Sequence, residues 1–338
     1  MNKSSNILFM NIMLMSVMLS ISSNSWFIVW MGMEINMMAF LPMIMEQKNM
    51  NSKEAALTYF LVQTIASMMM LMSIIIMMID KNNMNMITSN MKDSLMMSAL
   101  MMKSGISPFH FWMPKTMEGL NWNKCLILMT IQKITPLMMM SYIIKMSLIN
   151  ISVMILSVYI GAIGGLNQTS LRKLMAYSSI SNNGWMMMAM MMSENMWLIY
   201  FMIYTMMTMM MALSMNNYKL FNINQLMSMN ESTYMKMLMM INMLSISGLP
   251  PMMGFLPKWM VIQTSMNTYE LMLMMVMVML TLITIYYYLR MLYSAMLMTN
   301  TNHKWHNMMK KNENKDFMPL TVITTMGLML ITMMMSLY

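Results

Sequence analysis

The chain alternates between long apolar stretches and short polar gaps. A bilayer span needs about 20 mostly apolar residues. Eleven stretches meet that length, at 4–21, 26–45, 55–79, 94–113, 124–145, 148–167, 173–192, 195–215, 237–265, 270–298 and 317–337. None shows the period-two alternation of a barrel strand. Helices are expected, because a spanning segment must satisfy its own backbone hydrogen bonds. The first stretch is the weakest, and the ninth and tenth are long enough to be tilted or broken. The pattern predicts an all-α polytopic membrane protein with about 11 transmembrane helices. Lys3 precedes an apolar run, but no small-residue cleavage pattern follows, so a cleavable signal peptide is not expected.

Composition narrows the class further. Of 338 residues, 59% are hydrophobic and 9% charged, against about 25% charged in soluble domains. That leaves too little charge to cover a soluble surface and too much apolar content for a disordered chain. The single cysteine, Cys125, excludes an internal disulfide, a thiolate zinc site and an iron–sulfur cluster within the chain. The 75 methionines lie mainly inside the apolar stretches, where Met packs like Leu or Ile. Copper-trafficking methionines would cluster in polar loops. The excess instead fits an AT-rich organelle genome in which AUA is read as Met, as does an arginine count of only two, Arg172 and Arg290.

Eleven helices put the termini on opposite sides, and loop charge then orients the chain. On the N-terminal side stand Lys3, Lys48, Lys53, Lys115, Lys124, Arg172, Lys173, Lys219, Lys236, Lys304, Lys310, Lys311 and Lys315. Lys81, Lys92 and Lys145 stand on the other, a bias of 13 to 3. The N-terminus is therefore expected in the positive-inside compartment and the C-terminus opposite. The basic residues are not interleaved with aromatics on one face, so no nucleic-acid partner is expected.

Four ionisable residues fall deep within spans: Glu34, Lys103, Lys133 and Lys258. A charge at the bilayer centre costs about 2.5–3.5 kcal/mol on insertion scales. Arg290 is near enough to a span end to snorkel, and His110 is a borderline member of the set. Prolines interrupt the same spans. In an otherwise helical span a proline frees the carbonyl four residues earlier. Pro108 would free Ser104, Pro136 would free Gln132, Pro257 would free Met253, and Pro250 and Pro251 would free Ile246 and Ser247. Freed carbonyls and water can solvate an ammonium or pass its proton. The stretch Ser104–Lys115 recurs as Ser247–Lys258. Both follow S-G-x-x-P-x5-P-K, 143 residues apart, and each lies in the fourth helix of a five-helix block. Two odd-numbered blocks run in opposite directions, which is the mark of an inverted repeat with matching broken helices. The expected organisation is a first repeat at 1–145, a second at 148–298 and a final helix at 317–337. Lys103 precedes its motif while Lys258 ends its copy. Lys115, the sequence match of Lys258, is expected in a loop.

These segments resemble the antiporter-like proton-pumping subunits of respiratory complex I. The segments that carry the resemblance are Asn24–Asn36, Lys103–Trp112, Met117–Leu120, Gly161–Ser179 and Gly248–Trp259. It covers nearly the whole chain, and the Met and Asn richness is similar to insect mitochondrial members. Animal versions have eleven helices, three fewer at the N-terminus than the bacterial form. The resemblance implies that Glu34 pairs with Lys103, that Lys133 bridges and that Lys258 is terminal, in a midplane proton path. With Glu34 close, Lys103 holds its proton; with Glu34 drawn away, the proton can pass through water to Lys133 and Lys258. One departure is Asn182, where relatives often carry His, so a histidine relay there is doubtful. The resemblance further implies a subunit of H+-translocating NADH:ubiquinone oxidoreductase in the mitochondrial inner membrane, N-terminus in the matrix. No redox chemistry falls to this chain, since other subunits bind NADH, FMN, iron–sulfur clusters and ubiquinone. Implied partners are other membrane-arm subunits, 4 and 4L among them, accessory subunits and membrane lipids. The alternative functions are a multisubunit cation/proton antiporter with the same lysine machinery, or a structural subunit without transport. The remaining motifs are weak. Gly161-Ala-Ile-Gly-Gly165 lacks phosphate-loop spacing and suits close helix packing. His303 and His306 are two would-be ligands in a polar loop. His110 is either a proton entry or exit group or a structural histidine.

Overall fold

The computed structural model describes residues 3–46, 49–79, 86–227, 233–250, 252–266 and 271–297. The expected final helix at 317–337 and the pair His303/His306 lie outside these. The chain divides into two compact units with the boundary between Ser157 and Val158. The first unit holds α1 (Lys3–Ile21), α2 (Trp26–Ile44), α3 (Met50–Ile79), α4 (Met86–Ser104), α5 (Trp112–Gly119), α6 (Trp122–Met129) and α7 (Ile131–Ile143). The boundary falls within α8 (Leu148–Leu166). The second unit continues with α9 (Leu171–Met192), α10 (Glu194–Tyr218), α11 (Ile223–Met227), α12 (Thr233–Ser247), α13 (Phe255–Ser265) and α14 (Leu271–Leu297).

Lipid rather than water dictates the sidedness of these helices. On α3, Leu57, Leu61, Ile65, Met68 and Met72 form an exposed stripe at helical spacing, while Tyr59, Gln63, Ala66, Ser67 and Met70 face inward. The polar groups are on the inside and the apolar ones outside, the reverse of a soluble amphipathic helix. In the first unit α2 packs on α1 and α3, and α4 on α3 and α7. In the second, α10 packs on α9, α12 and α13, and α12 on α14. The glycine cluster of α8 serves contact in the second unit. A Cβ on Gly161 would meet Ser181, and one on Gly164 would collide with the Tyr177 ring.

Among the described residues, seven helical segments are long and apolar enough to cross a membrane: Ser4–Ile21, Trp26–Ile44, Met50–Ile79, Trp122–Ile143, Leu148–Leu166, Glu194–Tyr218 and Leu271–Ser294. The expected spans at 94–113 and 237–265 are each split into two helices. The span at 173–192 is a full helix, α9, whose buried Ser178, Ser179, Ser181, Asn182 and Asn183 lower its hydropathy. The tenth expected span is continuous as α14. Three sequence expectations need correction. α4 begins at Met86, so Lys92 and Asp93 ride on the helix instead of in a loop. Lys115 lies on α5, exposed and paired with Glu54 at 3.2 Å. Lys236, counted as a loop charge, sits near the start of α12 and is only 6% exposed.

Candidate functional site

The two splits are made by glycine, not by proline. At the end of α4, Gly105 has φ +72. Its N–H donates to Met102 O (3.4 Å), and the Ile106 N–H donates to Met101 O (3.0 Å). That pair of bonds is a Schellman stop, which needs a left-handed residue after the cap. Gly248 ends α12 with the same left-handed turn, at φ +84, and its N–H donates to Ser245 O at 3.1 Å. Pro108 falls in the loop after the stop, on a cis peptide with Ser107. Pro257 falls in the first turn of α13, where a missing N–H costs nothing. The Met253 carbonyl, expected to be freed, accepts from Leu256 N–H at 3.2 Å. Pro136 lies inside a continuous α7. The interruption of that span is at Thr130, between α6 and α7. The Thr130 hydroxyl bonds back to Leu126 O (2.8 Å) and its carbonyl accepts from Lys133 N–H (3.1 Å). Such back-bonding competes with the helix ladder and bends it.

These stops position the lysines. Lys103 is in the last turn of α4 and 8% exposed, and Lys133 is in the first turn of α7 and 2% exposed. Both line one cavity of the first unit, with Asn36, Tyr59, Gln63 and Gln132. An amide–hydroxyl network rings it. The Tyr59 hydroxyl donates to Gln132 Oε1 (3.2 Å), Gln132 Nε2 donates to Asn36 Oδ1 (3.0 Å), and Gln63 Nε2 reaches the Lys103 carbonyl (3.4 Å). The cavity volume is about 20 Å3, and a water needs roughly 10–15 Å3 by that measure. Tyr59 and Trp112 in the lining meet edge to face, centroids 5.8 Å apart, and Phe40 meets Tyr59 in the same way at 5.4 Å.

Glu34, on α2, does not line this cavity. Its carboxylate lies within Coulombic range of Lys103 and Tyr59, and its Oε1 is buried with no hydrogen-bond partner. No ion pair joins it to Lys103 among the described residues. His110 is also outside the cavity, in the loop between α4 and α5. It is 5% exposed, with Nδ1 3.3 Å from Pro108 O and its ring against Phe111.

Lys258 belongs to the second unit. From the first turn of α13 it reaches back across the split and donates to the Ser247 carbonyl at 2.7 Å. Its nitrogen stands 6.0 Å over the Trp185 ring and lies close against Gly248. Nearby, Tyr200 donates to Asn182 Oδ1 at 3.2 Å, beside a second small cavity lined by Tyr204, Ser245 and Pro257. The side chains of Tyr59, Gln63 and Tyr200, buried, and of Gln132, half-buried, escape notice in the sequence, where Lys236 reads only as a loop charge. Single polar residues in apolar stretches carry no motif, and only their burial singles them out.

Comparison with known proteins gives one coherent picture. A family model described as NADH:quinone oxidoreductase/Mrp antiporter, transmembrane, matches residues 23–284. The chain is 47% identical over 337 residues to NADH-ubiquinone oxidoreductase chain 2 of Aedes aegypti, covering 98% of each chain. Its structure is similar to a chain of respiratory complex I from Thermus thermophilus, with a TM-score of 0.82 at 18% identity, covering 96% of this chain and 78% of that one. It is also similar to a chain of the Mrp complex from Dietzia sp., with a TM-score of 0.74 at 14% identity, covering 84% and 59%. The structural likenesses speak to the fold alone.

Proposed function

We propose a function from one premise: the chain belongs to the NADH:quinone oxidoreductase/Mrp antiporter transmembrane family. It is a membrane-arm subunit of the proton-translocating NADH:ubiquinone oxidoreductase, working among the other subunits of that complex. The fold suits a cation/proton antiporter as well. Near-full-length identity of 47% to a chain of the respiratory enzyme favours that enzyme.

Protons move along Glu34, Lys103, Lys133 and Lys258. The observation that carries this reading is the cavity in which two lysines, Lys103 and Lys133, share one buried polar lining with room for water. Burying an ammonium is costly, so two at one cavity imply a use for their protons. Glu34 acts on this pair by charge. Close to Lys103 it stabilises the ammonium; when its own field is drawn elsewhere, Lys103 releases its proton into the polar ring of Gln63, Gln132 and Tyr59. Lys258 takes the terminal position, its ammonium held by a carbonyl at the end of a half-helix, where the dipole favours a cation. Redox energy arrives from other subunits, which hold NADH, FMN, the iron–sulfur clusters and ubiquinone.

The finer architecture is proposed with the function. It comprises eleven helices as two inverted five-helix repeats and a final helix, in the mitochondrial inner membrane. The N-terminus is in the matrix and the C-terminus in the intermembrane space, with subunits 4 and 4L as neighbours. The repeated S-G-x-x-P element and the 13-to-3 basic bias support it.

Lys133→Met tests the path. The substitution keeps bulk and removes the proton. The complex should assemble, and the number of protons moved per NADH oxidised in reconstituted vesicles should fall. An unchanged ratio at normal turnover would remove Lys133 from the path.

A further inference from the structure

The largest described cavity of the first unit serves none of the chemistry above. It has a volume of about 530 Å3, within the roughly 300–1,000 Å3 typical of ligand sites. Its walls are mostly apolar: Met97 and Met101 from α4, Pro108 and Phe109 from the loop after Gly105, Ile143 from the end of α7 and Val153 from α8. One end is different. There Lys145 and Asp93 form an ion pair at 2.7 Å, with Lys145 74% and Asp93 28% exposed.

That end is built rather than loose. Lys145 sits in the four-residue linker between α7 and α8. The Ile144 N–H bonds to Met140 O (2.9 Å), the Lys145 carbonyl accepts from Asn150 Nδ2 (2.8 Å), and Ser147 Oγ caps the Asn150 N–H (3.3 Å). A linker between two membrane-crossing helices lies at the membrane surface. The cavity therefore has a charged mouth at headgroup depth and an apolar interior running toward the split in the α4–α5 span.

We propose that this cavity binds one diacyl phospholipid of zwitterionic, primary-amine type, phosphatidylethanolamine. Its phosphate lies on Lys145, its ammonium on Asp93, and one acyl chain along Met97, Met101 and Val153. The choice of headgroup follows from the charges. The mouth offers one cation and one anion, so it is neutral as a pair. A zwitterion meets both; an anionic headgroup satisfies Lys145 and is repelled by Asp93. The walls are mainly apolar, with Ser94, Ser98 and Asn150 among them, and lipid is the apolar molecule at highest concentration around this chain. The site requires only that the chain spans a membrane and stands apart from the proton path.

The test uses the intact complex in vesicles with a phosphatidylethanolamine bearing a diazirine in its acyl chain. After illumination, peptides of this chain are mapped by mass spectrometry. Labels should concentrate on α4 near Met97 and Met101 and on α8 near Val153. They should be competed by unlabelled phosphatidylethanolamine more strongly than by phosphatidylglycerol. Met101→Trp, which fills the interior, should abolish this labelling. Lys145→Gln, at an exposed position that will not disturb folding, should reduce it about threefold, the loss of one partly exposed charge contact of about 0.7 kcal/mol. The proposal is overturned by labelling no denser here than on the exposed stripe Leu57–Met72. Stronger competition by phosphatidylglycerol would overturn it too, as would cross-links from this cavity to another protein subunit in place of lipid.

Discussion

In α4–α5 the lysine precedes the split and belongs to the helix that stops. In α12–α13 it follows the split and reaches back, 2.7 Å from the carbonyl of the residue where the other helix stopped. Ser247 is the repeat partner of Ser104, the neighbour of Lys103. Lys103 is thus carried in the last turn of the helix that stops, whereas Lys258 brings its ammonium to the carbonyl end of the preceding half-helix from beyond the split. What the two regions share is a helix terminus that favours positive charge, not a position in the motif. Aligning S-G-x-x-P-x5-P-K by register pairs Lys258 with Lys115, yet Lys115 is 59% exposed on α5 and bound to Glu54.

The largest expected effect separates those two residues. Lys258→Met should cut proton translocation to roughly a hundredth or less, as expected when a proton-transfer group worth about 10²–10⁴-fold is removed. Lys115→Met should leave translocation unchanged and alter stability by at most about 1 kcal/mol, the ceiling for an exposed ion pair. Proton uptake and NADH oxidation in the same vesicles decide it. Equal losses in the two variants would restore the register pairing and break the comparison.

The next effect compares the glycines. A left-handed φ does not by itself demand glycine here, since Lys219 closes α10 at φ 52. Its Schellman bonds are 3.0 Å from Leu220 N to Met215 O and 3.2 Å from Lys219 N to Asn216 O. Gly105→Ala should therefore cost about 1–3 kcal/mol of backbone strain, with its Cβ meeting the yielding Met113 sulfur at 3.0 Å. Gly248→Ala carries the same strain, and its Cβ would come within 2.9 Å of Lys258 Nζ. The ammonium must then leave Ser247. Stability should fall somewhat more than for Gly105→Ala, and translocation should fall only in the Gly248 variant. Thermal unfolding of the complex and the proton-to-electron ratio, measured on both, test this. Matched behaviour would mean that Lys258 does not need its present seat.

The same residues show what a sequence can disclose. Long apolar runs disclosed the helices, because lipid leaves few alternatives. The places of the two splits are visible in the repeated motif, but its prolines suggest a cause that in the fold belongs to Gly105 and Gly248. A proline frees a carbonyl only in a helix that continues through its ring, and no helix runs through Pro108 or enters Pro257 from before Phe255. The break at Thr130 was not visible. A threonine hydroxyl that turns back on its own helix looks, in sequence, like any other polar residue. Lys103, Lys133 and Lys258 stood out by their cost in a membrane. The residues that ring them did not, because an isolated Gln or Tyr among methionines becomes informative only once neighbouring helices bring Asn36, Tyr59 and Gln132 together.

The smallest effect concerns how each unit, taken by itself, fastens its own loops. Among the described residues all three ion pairs lie in the first unit. The tightest joins the α2–α3 loop to α6, where Glu46 Oε1 accepts from Lys124 and from Asn121, both at 2.5 Å, and Asn49 donates to Oε2 at 2.9 Å. In the second unit the α8 end is held by Arg290 on the Leu166 carbonyl, and Leu171 and Ile223 pair with Phe221 and Thr169 through backbone alone. The hydrogen bond from Lys124 holds the Glu46 carboxyl below its usual range; burial opposes it, and the Lys124 charge and the Asn49 hydrogen bond add to the lowering. A depressed folded value gives stability that is full above the unfolded value, about 4.3, and is lost as pH falls through the folded one. The clasp is partly exposed, so its worth is at most about 1 kcal/mol. Acidification from neutral pH should therefore weaken the Glu46 and Asn49 amides, which bond to Ser52 Oγ and Glu46 O. The Leu171 and Ile223 amides should hold. Hydrogen exchange corrected for the intrinsic rate at each pH measures both sets, and Glu46→Gln should flatten the response in the first. Parallel loss in the two units would show that acid acts on the membrane helices as a whole, and the contrast in fastening would carry no weight.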